Sequence, residues 1–180
     1  MWKTYVIYYV KGELMKEINI KDVKENLVKL IADDWFLIGA KKSDSINMMT
    51  ASCGMIGNLW NKPTMNVYVR PSRYTYEFID NADTFSCSFF DETYKKELTY
   101  CGRNSGRNVD KIKECHFDCE TIENAPVYKQ AKLTIICRKI ASYDLHPNQF
   151  KDETILNNYK NDDFHRVYTG EILKVFINEE

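Results

Sequence analysis

Three short stretches of the chain carry residue types that could hold a ligand. In VRPSRYTYEF, residues 69–78, a strand-like run leads into Arg70, Ser72, Arg73, Tyr74 and Thr75 at the start of a helical pattern. A strand that ends in arginine and feeds a helix N-terminus meets the needs of an anion. It offers free N–H groups, the positive end of the helix dipole and side chains that chelate oxygen. Ser72 and Thr75 can donate hydroxyl bonds, and Arg70 or Arg73 can grip anionic oxygens. Ordinary capping of the helix by Ser72 or Thr75, with solvated arginines, explains the same residues.

The second stretch is CGRNSGRNVDK, residues 101–111, with Cys101, Gly102, Ser105, Gly106 and Lys111. Two glycines let backbone amides approach a ligand, and Lys111 can add charge from the helix that follows. The Gly-Lys-Ser/Thr order of a Walker loop is missing, and a plain helix–helix connection fits the spacing equally well. The third is NMMTASCG, residues 47–54, which holds Asn47, Met49, Thr50, Ala51, Ser52 and Cys53. Its small side chains leave backbone donors and acceptors open to the edge of a flat polar ring, or to nothing if it is a bare sheet edge.

No catalytic constellation is legible. The three histidines, His116, His146 and His165, accompany no G-x-S-x-G elbow, and no G-x-G-x-x-G follows a strand, so nucleophilic hydrolysis and a Rossmann site are not indicated. Cys115-His116-Phe117-Asp118-Cys119 lacks a second ligand pair at usable spacing, so no metal site is expected. The six cysteines, in a chain of 180 residues with no signal peptide, read as reduced thiols. Net charge is −1, which gives no global field toward nucleic acid or an acidic membrane. The apolar N-terminal run is interrupted by Lys11 and Glu13 and is too short to span a bilayer. A soluble, cytoplasmic protein is the expectation.

The elements that must position these stretches follow from periodicity. Ile20, Val23, Leu27, Leu30 and Ile31 recur at helical spacing and predict an amphipathic helix over 20–32. Strands are predicted at 35–40, 64–70, 84–90, 132–143 and 168–177, a short helix at 74–80, and interrupted helix at 91–114. Strands follow one another without βαβ alternation, so the class is mainly β: an antiparallel barrel with helices packed outside.

Taken together, NMMTASCG, VRPSRYTYEF and CGRNSGRNVDK, with the closing HRVYTGEIL at 165–173, resemble the flavin reductase-like family of FMN-binding split-barrel proteins, in its flavoredoxin-like branch. The resemblance covers residues 34–177 of one domain, with 1–33 as an N-terminal strand and helix extension. It implies an antiparallel Greek-key split barrel with flanking α-helices, a homodimer, and one non-covalent FMN per subunit. By resemblance, residues 47–53 face the flavin ring and ribityl chain, while Arg70, Ser72, Tyr74 and Thr75 hold the FMN phosphate. Cys101, Gly102, Ser105, Gly106 and Lys111 form a second wall, and Phe164 and His165 lie near the flavin. Relatives often carry Trp where this chain has Cys53, a change that bears on pocket shape and substrate choice.

The function implied is an FMN oxidoreductase that takes electrons from NAD(P)H and passes them to a flavin or other acceptor. Two rival readings stand beside it. One is an FMN electron carrier reduced by a protein donor; the other is a split barrel that binds no flavin and serves as an interaction module.

Overall fold

The alternation in KPTMNVYV makes a barrel strand. Met65, Val67 and Val69 turn one way into the core, while Asn66 and Tyr68 stay half-exposed on the other face. Repeated along the chain, this pattern builds a sheet that curls on itself. The computed structural model describes residues 6–10, 12–159 and 161–178. In chain order the strands are β1 (Ile7–Val10), β2 (Glu13–Ile18), β3 (Phe36–Lys42), β4 (Ser45–Ala51), β5 (Gly54–Leu59) and β6 (Lys62–Val69). They continue with β7 (Thr84–Phe89), β8 (Cys119–Ile122), β9 (Ala125–Tyr128), β10 (Leu133–Asp144) and β11 (Arg166–Asn178). The helices are α1 (Leu27–Lys29), α2 (Tyr74–Asn81), α3 (Lys95–Arg103) and α4 (Lys111–Glu114).

A nine-stranded sheet runs β1-β2-β11-β10-β7-β3-β4, and β6, itself paired to β5, joins on β11. Its pairings are antiparallel. The outer edge of β11 is shared: Arg166 to Glu171 pair with β6, and Val175 to Asn178 pair with β2. The sheet forks there, and the arm through β6 and β5 curls round toward β4. Bulges at Ile136/Cys137 and Lys139/Ala141 bend β10 against β11. At the bend Gly170 is required, because a Cβ would stand 2.5 Å from the Cys137 Cβ and 2.6 Å from the Phe85 ring.

The curl has an inside and an outside. Phe36, Ile38, Phe85, Cys87, Val67 and Tyr168 fill the interior with Phe78 and Ile79 of α2. The opposite face of β3 and β4 presents Leu37 and Met48 to Leu98, Cys101, Cys115 and Phe117, and so packs α3 and its successors outside. A third cluster, with Val10, Met15, Val127, Ile136 and Phe176, seats the β1–β2 hairpin and the small β8–β9 hairpin on the same outer surface. The predicted strands and the helix at 74–80 are present, and the barrel class holds.

The helix predicted over 20–32 is a correction. Ile20–Asp22 is a single 3₁₀ turn, Val23 is extended, and α1 runs for three residues before a π turn at Leu30–Asp34. Two asparagines break it: Asn19 accepts the Lys21 amide, and Asn26 accepts those of Val28 and Lys29, so each starts a new turn. The apolar positions still reach the barrel core. The period recorded which side chains are buried, and the caps decided the backbone.

Between β10 and β11 lies a long connection with 3₁₀ turns at Pro147–Gln149 and Glu153–Asn158. Its ends are tied by the Leu145 amide donating to the His165 carbonyl at 3.0 Å. Among the described residues, no helix is long and apolar enough to cross a membrane.

Candidate functional site

β6 ends at Val69, and the chain turns at once. The Arg73 amide donates to the Arg70 carbonyl at 3.0 Å, closing a tight turn with Pro71 in its second position. α2 then starts at Tyr74 with Arg73 in the capping place and no side-chain cap. The capping alternative for Ser72 and Thr75 is therefore corrected. Thr75 is buried and its Oγ1 accepts from Asn47 Nδ2 at 2.8 Å. Ser72 faces outward and holds an anion. Its amide donates to Asp163 Oδ1 at 3.2 Å and its hydroxyl to Asp163 Oδ2 at 2.6 Å. Arg70 Nη1 lies 4.0 Å from the same carboxylate.

Arg70 also binds the connection before β11. Its Nη2 donates to the Asn158 carbonyl at 2.8 Å, and its guanidinium lies 5.1 Å over the Tyr159 ring. Tyr159 stacks on Phe164 at 4.6 Å, and its hydroxyl meets His165 Nδ1 at 2.9 Å. Burial and the Arg70 charge pull the His165 pKa down to about 4, so the ring is neutral near pH 7.

A cleft of about 1010 Å³ opens beside this cluster, lined by Ser52, Cys53, Tyr68, Arg70, Tyr159 and His165 among others. Ser52 and Cys53 form the exposed corner between β4 and β5. Although Cys53 opens to solvent, the surrounding cleft walls partly desolvate its thiol and raise its pKa, against a smaller opposing pull from Arg70. In the described residues β4 pairs only with β3, and β5 only with β6, so each offers a free backbone edge near this corner. The reading of 47–54 as a bare sheet edge and the reading as a ring-facing segment thus share one geometry.

Behind the turn, the glycine loop locks onto β4 and α2. Gly106 sits so close that a Cβ there would be 2.1 Å from Asn47 Oδ1 and 3.1 Å from the Tyr74 ring. Arg107 pairs with Glu77 and covers the Tyr74 ring at 4.7 Å. Gly102 approaches Thr50, whose hydroxyl donates to the Leu98 carbonyl at 2.5 Å. Arg73 Nη1 donates to the Gly102 carbonyl at 3.3 Å, linking the anion turn to α3. The Ser105 hydroxyl accepts the Arg107 amide at 3.3 Å, within the loop itself.

Cys101 and Lys111 lie deeper. The Cys101 thiol is buried 3.7 Å from Cys115 Sγ, and desolvation drives its pKa far up. Lys111 Nζ is buried and donates to the carbonyls of Met48 at 2.7 Å and Cys101 at 2.8 Å. Desolvation lowers its pKa. In this position Lys111 is a strut that ties α4 to β4 and α3.

Of the residues singled out in the sequence, Ser52, Cys53, Arg70 and His165 converge on the large cleft, with Ser72 at the turn beside it. Asn47, Tyr74, Thr75 and Gly106 knit the support behind. Asp163, Asn158 and Tyr159 were not legible. Asp163 reaches Ser72 across 91 residues of chain, inside a polar run that no local pattern marks.

The fold is that of the FMN-binding split-barrel proteins. A family model described as the flavin reductase like domain matches residues 29–180, and the chain belongs to that family. No curated protein matches it. Among solved structures it is similar to a flavoredoxin from Methanosarcina acetivorans, at 26% identity and a TM-score of 0.64 over 88% of this chain and 76% of that one. It is similar to the flavoredoxin of Desulfovibrio vulgaris (Miyazaki F), at 24% identity and a TM-score of 0.65 over 87% and 78%. An FMN-binding protein from Thermus thermophilus with bound p-hydroxybenzaldehyde matches at 18% identity and a TM-score of 0.65 over 90% and 81%.

Proposed function

We propose that this chain binds FMN and acts as an oxidoreductase, taking reducing equivalents from NADH or NADPH and delivering them to a flavin or another acceptor. The observation that carries the reading is the Ser72 turn. It already grips an anionic group through an amide and a hydroxyl, beside Arg70, at the mouth of a cleft with free strand edges. The Asp163 carboxylate stands in for a phosphate at those donors, so the residues fit the charged end of FMN.

When bound, FMN supplies the two-electron chemistry. The chain's own residues do the rest. Ser72 and Arg70 hold the phosphate, and the Asn47–Thr75 bond fixes the turn relative to β4. Backbone groups at the β4–β5 corner meet the polar edge of the ring. Tyr159, Phe164 and neutral His165 form an aromatic wall that limits water without adding charge. No side chain is assigned as a proton donor or acceptor. Val28, Met55 and Ile155 line the same cleft and are exposed on the isolated chain. A second copy of the chain covering them is part of the proposal.

A second reading is favoured by the similarity to the Methanosarcina acetivorans flavoredoxin: FMN held as an electron carrier, reduced by a protein donor. The absorption spectrum of the purified protein, followed anaerobically with NADH and then NADPH, separates the readings. Flavin bands that bleach with a nicotinamide are expected. Bands that bleach only with dithionite favour the carrier. A colourless protein that stays colourless with added FMN refutes both.

A further inference from the structure

We propose that Asp163 is a built-in competitor for the FMN phosphate, and that it makes the flavin an exchangeable ligand. The inference rests on the reading of the Ser72 turn as the phosphate site. Both oxygens of the Asp163 carboxylate are engaged there, one by the Ser72 amide and one by its hydroxyl. Each of those donors has a single proton. Two anions cannot share them, and Arg70 at 4.0 Å does not offset the repulsion between a carboxylate and a phosphate at one turn.

The carboxylate is delivered to this place by its neighbours. Asn161 and Asp162 both adopt left-handed backbone, with φ of 55° each, a conformation their short polar side chains tolerate. The Phe164 amide donates back to the Asp162 carbonyl at 2.8 Å. Phe164 is then anchored between Tyr159 at 4.6 Å and Phe150 at 6.1 Å. One residue later His165 is tied to Tyr159. Asp163 is thus flanked by a fixed aromatic on one side and a tight turn on the other, and its side chain is largely sheltered, at 22% exposure.

FMN must displace this carboxylate, and the lost contacts are charge-assisted, the stronger kind of hydrogen bond. That opposes FMN affinity and leaves riboflavin, which has no phosphate, unaffected. A flavin that leaves readily suits a reductase that hands its flavin on, whereas a carrier needs its flavin retained. Asp163 therefore bears on which of the two roles the chain performs.

The test is titration of the wild type, Asp163→Asn and Asp163→Ala with FMN and with riboflavin, read by quenching of flavin fluorescence. Asparagine keeps the side-chain volume and one acceptor for Ser72; alanine removes both. The expected result is FMN binding tightened about tenfold or more in both variants, with riboflavin binding within about twofold of wild type. Binding of FMN by the variants alone also supports the inference. Wild-type FMN binding that is unchanged or weakened in both variants, with riboflavin binding intact, overturns it and leaves the phosphate site standing. No FMN binding by any of the three overturns the parent reading and this inference with it.

Discussion

Replacing Gly106 by alanine tests how the anion turn is supported. The new Cβ would stand 2.1 Å from Asn47 Oδ1, 2.9 Å from its Cγ and 3.1 Å from the Tyr74 ring. Gly106 has no left-handed φ, so alanine meets no backbone strain and the conflict is purely steric. Relief requires Asn47 to swing by about 1 Å, which a 2.8 Å bond to Thr75 does not survive. Losing a buried hydrogen bond costs about 1–3 kcal/mol, and crowding a packed site adds about 1–3 kcal/mol. For a domain of this size, the sum lowers Tm by about 4–24 °C. Gly102→Ala is the control: its Cβ meets Thr50 Cβ at 3.3 Å, and alanine within α3 gains up to about 1 kcal/mol of helix propensity. Its Tm is expected within about 2 °C of wild type or above it. Asn47→Ala removes the colliding oxygen, so Gly106→Ala on that background should cost much less than on wild type. Thermal denaturation followed by circular dichroism reads wild type and the four variants. A Gly106→Ala protein as stable as wild type, or a penalty undiminished by Asn47→Ala, refutes the reasoning.

The His165 pKa is depressed from 6.5 to about 4, so between those values the unfolded chain binds more protons. Stability attributable to this group is therefore present above pH 6.5 and lost as pH falls toward 4. The full shift corresponds to about 3 kcal/mol, and partial exposure reduces it to about 1–2 kcal/mol. Urea denaturation across that range should show the slope in wild type and not in His165→Gln; parallel profiles contradict it. Lys111→Met keeps the aliphatic stem but strips the donor from two carbonyls, at a cost of about 1–3 kcal/mol. Burial depresses the lysine pKa, so charging it opposes folding below that depressed value and the opposition fades as pH rises toward 10.5. The stability difference between wild type and Lys111→Met should accordingly grow at alkaline pH, and a pH-independent difference in urea midpoints counts against the buried ammonium. Cys53 is the exposed thiol, Cys119 is half-buried, and Cys87, Cys101, Cys115 and Cys137 are buried. An Ellman assay on folded protein should find one fast thiol that Cys53→Ser removes and FMN slows; fast labelling of a second thiol, or no effect of FMN, breaks the placement of the ring beside Cys53.

Much of the barrel was legible because burial writes itself into period two. Met65, Val67 and Val69 alternate with less buried neighbours, Phe85, Cys87 and Phe89 alternate with small serines in a strand buried on both faces, and the strands stand where those patterns stand. The segment at 20–32 shows the limit of that logic. Its apolar spacing was right about the core and wrong about the helix, since the capping bonds of Asn19 and Asn26 outweigh weak propensity over so short a span. The turn at 70–75 and the glycines at 102 and 106 were legible as a constellation because strand end, helix start and glycine spacing are local features.

What the amino-acid order determined alone, then, is the set of strands, the gathering of arginines and hydroxyls where a strand meets a helix, and the small-residue segment beside it. Only the tertiary structure decided which groups meet. The Lys111 ammonium went to two carbonyls behind β4 because burial leaves a charge no other partner there. Asp163 came to Ser72, and Asn158 to Arg70, because the connection before β11 closes over the end of β6. Contacts between residues some ninety positions apart depend on the closure of the sheet, and no local spacing encodes them.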